Sequence, residues 1–223
     1  MFFEDKFNAM SPEDRENMFK TLFMMDDSDY ASKVRQEYYK SKLRYMGKNV
    51  TFGPGVRIVN PQYISIGDNS SISEDTTLIA RGPKGITIGN DVTICDRVYL
   101  DTEDPDDGYI TIGNNVYIGT GTTLFGHCGY EIGDHCLLAQ NITSTPYSHK
   151  YEDPDRVIIA QGGHSKKVTI GRDSYIGMGV CIMYSGSIGE GSVVGSGAVV
   201  VKPIPPYSVA VGNPAKVIKE RKK

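Results

Sequence analysis

Residues 112–121 read Ile-Gly-Asn-Asn-Val-Tyr-Ile-Gly-Thr-Gly, two starts of a six-residue pattern in which an aliphatic residue and a glycine precede small or polar residues. Further Ile-Gly or Val-Gly pairs begin at positions 66, 88, 132, 170, 176, 188 and 194. A repeat this short cannot bury its own apolar side chain, so each copy must stack on another. The pattern therefore predicts an all-β solenoid, a parallel β-helix with three repeats in each coil of eighteen residues.

The repeat is interrupted where successive Ile-Gly pairs lie farther apart than one coil, and the extra residues must leave the solenoid as loops. Two short excursions, 81–85 and 103–108, are rich in turn-forming residues. The longest runs from 145 to 167, and a loop of that length in so regular a chain is typical of a functional segment. Within it stands His149, and an imidazole in an excursion beside the repeats can reach a substrate in a groove and act as a general base.

Composition divides the chain into three predicted parts. They are a helical cap at 1–47, the β-helix at 48–201 with its long loop at 145–167, and a C-terminal segment with a basic tail at 202–223. In the cap, Ser11 followed by Pro12 is a good helix start. A second helix is predicted to run from Ser28 or Asp29 to Tyr45.

Bulk properties narrow the function classes. The chain has 223 residues and a net charge of −3, which argues against nucleic acid as the main partner. No segment approaches the roughly 20 apolar residues of a membrane span, and residues 1–10 carry acids where a signal peptide is basic and apolar. We therefore expect a cytoplasmic protein without membrane insertion. The four cysteines form no CxxC pair, so neither a structural zinc site nor a redox motif is expected.

From Val50 to Lys219 the chain resembles the hexapeptide-repeat acyltransferases, most of all the maltose, galactoside and nodulation-factor acetyltransferases and the colanic-acid-type O-acetyltransferases. The resemblance is carried by the repeats, by Ser148-His149, and by the closing run 211–218, Val-Gly-Asn-Pro-Ala-Lys-Val-Ile. It implies a left-handed β-helix that forms a homotrimer with active sites between subunits, although a solenoid with flat faces could also stay monomeric.

The resemblance also implies a catalytic role for His149. In the family, the catalytic histidine takes the sixth position of the repeat that opens the long loop, and His149 stands there when counting starts at Ser144. It would deprotonate an acceptor hydroxyl, which attacks acetyl-CoA directly without an acyl-enzyme. The thioester oxygen needs a hydrogen-bond donor as it becomes an anion, and the backbone amide of Met178 is the candidate.

For the cofactor, the resemblance places the pantetheine arm of acetyl-CoA beside Ser196 and Gly197. The phosphates of coenzyme A call for cations, and Lys202, Lys216 and Lys219 match the positions where the family carries basic residues. No metal is required by such a mechanism.

For the acceptor, Tyr117 and His127 align with family positions that contact a sugar. His127 precedes His149 by about one coil, so the two imidazoles could face one groove; alternatively, His127 bonds the backbone of a corner. Tyr175 stands where the family often has a tryptophan, which keeps an aromatic wall but leaves the acceptor preference open.

Other functions remain open at this stage. The acceptor could be the amine of an amino sugar or an antibiotic, and a β-helix could also serve as a non-catalytic scaffold. A γ-type carbonic anhydrase shares the fold but needs three histidines around zinc. The pattern of that family includes a pair of histidines five residues apart. In this chain the positions five before and five after His149 are Ser144 and Pro154, which cannot replace an imidazole ligand.

Overall fold

The computed structural model describes residues 9–221, apart from the side chains of residues 19 and 20. Residues 1–8, with most of the acidic start of the chain, and the last two residues of the basic tail lie outside the described part. The chain forms a parallel β-solenoid of about seven turns behind a short helical segment. The predicted left-handed β-helix is confirmed.

Between residue 10 and the solenoid the chain forms two helices, α1 (Pro12–Phe23) and α2 (Asp29–Lys40). The predicted N-cap of α1 is confirmed, because the Ser11 hydroxyl accepts the backbone N–H of Asp14 at 3.1 Å. The prediction that the second helix reaches Tyr45 was wrong. Tyr45 instead pairs with Ser65 of the next coil, so hydrogen bonds to the solenoid replace the last turn of the helix.

The strands are short and follow the coils. The first twelve are β1 (Tyr45–Met46), β2 (Thr51–Phe52), β3 (Arg57–Val59), β4 (Ile64–Ile66), β5 (Ser71–Ile72), β6 (Thr77–Ile79), β7 (Gly85–Ile88), β8 (Thr93–Ile94), β9 (Tyr99–Asp101), β10 (Tyr109–Ile112), β11 (Tyr117–Ile118) and β12 (Thr123–Phe125). The others are β13 (Tyr130–Ile132), β14 (Leu137–Leu138), β15 (Thr143–Ser144), β16 (Tyr147–His149), β17 (Gly163–Ser165), β18 (Val168–Ile170), β19 (Tyr175–Ile176), β20 (Cys181–Ile182), β21 (Val193–Val194), β22 (Val199–Val200), β23 (Ser208–Val211) and β24 (Lys216–Glu220).

The coils up to β20 contribute one strand each to three stacked sheets, and the last coils extend sheets 2 and 3. Sheet 1 has the order β1-β4-β7-β10-β13-β18, and sheet 2 has the order β2-β5-β8-β11-β14-β19-β21-β23-β24. Sheet 3 has the order β22-β20-β15-β12-β9-β6-β3. Within these sheets the strands pair in parallel, except that β24 folds back antiparallel on β23. Strand β16 pairs only with β17, as an antiparallel hairpin outside the three sheets.

The core is a set of columns of aliphatic side chains enclosed by the three sheets. Along sheet 1, Ile66, Ile88, Ile112, Ile132 and Ile170 lie in register and are no more than 3% exposed. Burying each of these side chains stabilises the fold by about 1.5–3 kcal/mol. The first position of each repeat therefore supplies the core, as the sequence pattern predicted.

Polar side chains tie neighbouring coils together at the corner between sheets 1 and 2. The Oδ1 atom of Asp68 accepts the backbone N–H of Lys48 at 2.8 Å, and Asn90 accepts that of Asp68 at 2.8 Å. The Asn114 side chain in turn accepts the backbone N–H of Asn90 at 2.9 Å, and the Asp134 side chain accepts the backbone N–H of Asn114 at 2.6 Å. We call residues 68, 90, 114 and 134 the amide ladder.

The excursions predicted at 81–85, 103–108 and 145–167 all leave the solenoid between a strand of sheet 3 and the next strand of sheet 1. We call this edge the loop corner. The short turn at 126–129 lies on the same corner, one coil before the long excursion. Neighbouring coils are about 4.8 Å apart, so segments distant in sequence meet here.

Candidate active site

His149 lies on the hairpin of β16 and β17, which makes up most of the long excursion. In the hairpin, Tyr147 is opposite Ser165, and His149 is opposite Gly163. Side chains alternate along a strand, so Tyr147 and His149 share one face of the hairpin while Ser148 belongs to the other. The His149 side chain is exposed, as an acceptor-binding base must be.

The structure brings His127 and His149 together through a third ring. The Tyr147 ring stacks on the His127 imidazole with centroids 5.0 Å apart and planes at 16°. The His149 imidazole stands at 87° to the same tyrosine, also 5.0 Å from it. A shared groove for both histidines was one of two alternatives that the sequence left open, and nothing in the sequence indicated Tyr147 between them.

His127 is the less exposed of the two imidazoles. Burial lowers its pKa, while the carboxylates of Glu103, Asp104 and Asp101 oppose the shift, and the lowered pKa leaves the ring neutral at neutral pH. Its Nδ1 atom is buried and has no hydrogen-bond partner among residues 9–221. The alternative role, in which His127 bonds the backbone of a corner, is therefore not fulfilled by Nδ1. A neutral imidazole with a free nitrogen can bond an acceptor hydroxyl.

A row of aromatic rings continues from His127 toward the N-terminal coils. The ring centroid of Phe125 lies 6.3 Å from that of His127, and the ring centroid of Tyr99 lies 6.1 Å from that of Phe125. The Tyr99 hydroxyl donates to Asp101 Oδ2 at 3.0 Å. The sequence did not single out these residues, which occupy outward positions of sheet 3.

Asp101 is a fully buried carboxylate at this end of the row. Arg81 donates from Nε to Oδ1 at 2.9 Å and from Nη2 to Oδ2 at 2.7 Å, and the Glu103 amide donates to Oδ1 at 2.8 Å. Burial opposes ionisation, but the hydrogen bonds from Arg81, Glu103 and Tyr99 together with the Arg81 charge leave the pKa of Asp101 below its usual value. The ion pair thus anchors the 81–85 excursion to sheet 3, and the Glu103 hydrogen bond anchors the start of the 103–108 excursion.

Tyr117 and Tyr175 lie elsewhere, on the outer face of sheet 2. Leu137 separates them in one column, in register with both. The three side chains are 37%, 46% and 42% exposed in chain order. Within one chain they form an exposed apolar strip, on a different sheet from the corner that carries His149.

Met178, Ser196 and Gly197 come together at the corner between sheets 2 and 3. The Met178 carbonyl accepts the Gly197 N–H at 2.8 Å, so the two successive coils meet there. A methyl group built on Gly179 or Gly197 would meet nothing within 4 Å, which shows that this corner is open. The structure therefore places the three predicted cofactor residues along one accessible edge.

The predicted basic residues lie near the C-terminal end of the solenoid. Lys202 follows β22 on the loop corner, while Lys216 and Lys219 belong to β24 and pair with Val211 and Val209 of β23. All three lysines are exposed, and none forms an ion pair with an acid among residues 9–221.

Two further observations concern metals and membranes. In the described part of the chain, no three His, Cys, Asp or Glu side chains are grouped so as to hold a metal ion. Ser144, five residues before His149, is buried and donates to the Ile182 carbonyl at 3.0 Å. No helix within residues 9–221 has the length and apolar character that crossing a membrane requires.

The fold is a left-handed β-helix, and acetyltransferases are among the known proteins that this chain is similar to. No protein-family model matches the sequence. A probable acetyltransferase from Mycobacterium tuberculosis is 38% identical over 115 residues, which cover 52% of this chain and 38% of the relative. The galactoside O-acetyltransferase of Escherichia coli is 37% identical over 113 residues, covering 50% of this chain and 54% of the enzyme.

A structural relative covers more of the chain. AntD, an N-acyltransferase from Bacillus cereus solved as a mutant in complex with dTDP and coenzyme A, superposes with a TM-score of 0.61 and 25% identity over 84% of this chain and 90% of AntD. The chain spans about half the length, or less, of the two curated relatives named above. In sequence and in fold it is similar to the hexapeptide-repeat acyltransferases, which confirms the resemblance seen in the motifs.

Proposed function

We propose that this chain is a CoA-dependent acetyltransferase that transfers acetyl from acetyl-CoA to a hydroxyl of a saccharide or glycoconjugate. The observation that carries the proposal is the exposed His149 imidazole on its hairpin, 5.0 Å from a tyrosine that stacks on His127. His149 takes the proton of the acceptor hydroxyl while the oxygen attacks the thioester carbonyl. The carbon–sulfur bond then breaks, the thiolate of coenzyme A leaves and takes up a proton, and no acyl-enzyme forms.

The cofactor is proposed to run along the corner between sheets 2 and 3. The pantetheine arm lies beside Ser196 and Gly197, and the Met178 amide donates to the thioester oxygen as it gains charge. The exposed cations of Lys202, Lys216 and Lys219 suit the phosphates of coenzyme A. Support comes from the open surface of this corner and from AntD, whose structure contains coenzyme A.

The proposal includes a homotrimer. Tyr117 and Tyr175 are the proposed acceptor contacts besides His127, yet they lie on sheet 2, away from His149 of the same chain. A site that uses both His149 and the two tyrosines must therefore combine residues of two chains. A cyclic trimer closes such head-to-tail contacts. The exposed apolar strip around Leu137 fits a surface that a second copy covers. Light scattering in solution tests this, and a monomeric mass would contradict it.

A second candidate is transfer to the amine of an amino sugar. Two observations favour it: AntD is an N-acyltransferase, and the carboxylates of Glu103 and Asp104 act on His127. Negative charge beside the groove attracts a protonated amine. The hydroxyl acceptor remains the first choice because the galactoside O-acetyltransferase is the nearer relative in sequence identity.

An acceptor panel tests both candidates. The protein is incubated with acetyl-CoA and either neutral sugars or amino sugars, thiol release is followed, and the products are treated with hydroxylamine, which cleaves esters but spares amides. We expect thiol release with neutral sugars and a hydroxylamine-sensitive product. An amide product would favour the second candidate. Failure to bind acetyl-CoA in calorimetry would contradict both and indicate a scaffold.

A further inference from the structure

The hairpin that carries His149 is held by aromatic contacts on both of its faces. On one face, Tyr147 stacks on His127 from the coil before the excursion. On the other, His164 stacks on Tyr184 from the coil after it, with centroids 6.3 Å apart and planes at 18°. The alternation of side chains along a strand requires this arrangement, because Tyr147 and His149 point one way while Ser148 and its partner His164 point the other.

The Tyr147 ring also occupies the space that a side chain at residue 163, opposite His149, would need. A methyl group built on Gly163 would lie 2.1 Å from the Cζ atom of Tyr147, so residue 163 must be a glycine for the ring to take this place. The ring is thereby enclosed by Gly163 on the neighbouring strand, by His127 and by His149. Its position is determined by packing.

The His149 ring has no comparable support from hydrogen bonds. Among residues 9–221 its edge-on contact with Tyr147 is the specific interaction of the imidazole, and no hydrogen bond from this part of the chain orients it. A catalytic base is usually oriented by a third group, and an exposed imidazole without one samples several rotamers. Something other than a hydrogen bond must therefore set the direction of the ring.

We propose that Tyr147 is a positioning residue, which sets the orientation of His149 through ring packing and does so only because Gly163 leaves room for it. This inference rests on the proposed role of His149 as the base. The tyrosine hydroxyl is not needed for this role, since the contact is made by the ring.

The test compares Tyr147→Phe with Tyr147→Leu in steady-state kinetics. Phenylalanine keeps the ring, so we expect kcat within about 2-fold of the wild type, whereas leucine loses the edge contact and lowers kcat by about 10- to 100-fold. KM for acetyl-CoA is expected to change less than kcat in both, because Tyr147 is not among the residues proposed to bind the cofactor. Unchanged kcat in Tyr147→Leu, or equal losses in both variants, would overturn the proposal.

A double-mutant cycle with Gly163→Ala keeps the test independent of simple folding defects. In the wild-type background the added methyl displaces the Tyr147 ring, so kcat should fall about as far as in Tyr147→Leu. In the Tyr147→Leu background the ring is already gone, and the methyl should cost less than about 3-fold more. Additive losses would contradict the coupling. His149→Ala is measured alongside: if it stays active, the proposed function fails, and if it alone is inactive, only the positioning role fails.

Discussion

Single residues of this site differ in how far the sequence could reveal them. Counting residues put His127 about one coil before His149, which made a shared groove one of two alternatives for His127. Tyr147 lies in the same excursion as His149, and no motif pointed to its ring as the link between the two imidazoles. The ion pair of Asp101 with Arg81 could not be predicted either, since a carboxylate in an outward position of a strand is normally exposed to water.

Asp101 yields a prediction about stability. Asp101→Ala removes a fully buried carboxylate that binds the half-exposed Arg81, and we expect a loss of about 3 kcal/mol, near the lower end for a broken buried pair. The matched control is Asp107→Ala, which breaks the exposed pair between Lys84 and Asp107 and should cost under about 1 kcal/mol. Denaturant unfolding of both variants provides the measurement, and equal losses would contradict the account.

The Asp101 effect should also depend on pH. Because the pKa of Asp101 is lowered in the folded protein, its stabilising contribution is present above the unfolded pKa of about 3.9 and is lost as the pH falls through the lower folded value. The difference between wild type and Asp101→Ala should therefore stay constant from about pH 5 to 8 and shrink below about pH 4. A difference that grows on acidification would show the opposite sign and exclude this explanation.

At the scale of elements, regular segments were predictable and irregular ones were not. The strands follow from the aliphatic position of each repeat, and the caps at Ser11 and Ser28 follow from their side-chain chemistry. Helix α2 ends earlier than its helical spacing suggested, because Tyr45 and Met46 begin the first coil. The excursion at 145–167 was expected as a loop, but a hairpin forms, since pairing with β17 satisfies backbone groups of β16.

The amide ladder gives a prediction at this scale. Asp68→Ala leaves the Lys48 N–H without its side-chain acceptor, so we expect a loss of about 1 kcal/mol and a fall in Tm of about 2–4 °C. Asp68→Asn keeps an oxygen in the same place and should lie within about 0.5 kcal/mol of the wild type. Thermal unfolding of the two variants decides: if asparagine is as damaging as alanine, charge rather than the coil-to-coil hydrogen bond is what matters.

At the scale of the whole molecule, the solenoid separates three features that the proposed reaction needs together. The proposed base lies on the loop corner, the proposed pantetheine contacts lie between sheets 2 and 3, and the tyrosines lie on the face of sheet 2. The eighteen-residue coil assigns repeat positions such as Tyr117 and Tyr175 to a column, whereas His149 and Lys202 stand outside the repeat. How copies of the chain meet depends on surface complementarity between two molecules, which no periodicity within one chain encodes.

The most direct measurement is acetyl-CoA turnover with a saccharide acceptor by wild type, His149→Ala and His135→Asn. His135 is an exposed histidine at the corner between sheets 1 and 2 with φ of 60°, a conformation that asparagine tolerates, so His135→Asn controls for loss of a surface imidazole. We predict that His149→Ala turns over acetyl-CoA about 10²- to 10⁴-fold more slowly, as loss of a general base implies, and that His135→Asn matches the wild type. Turnover by His149→Ala at the wild-type rate would contradict the mechanism.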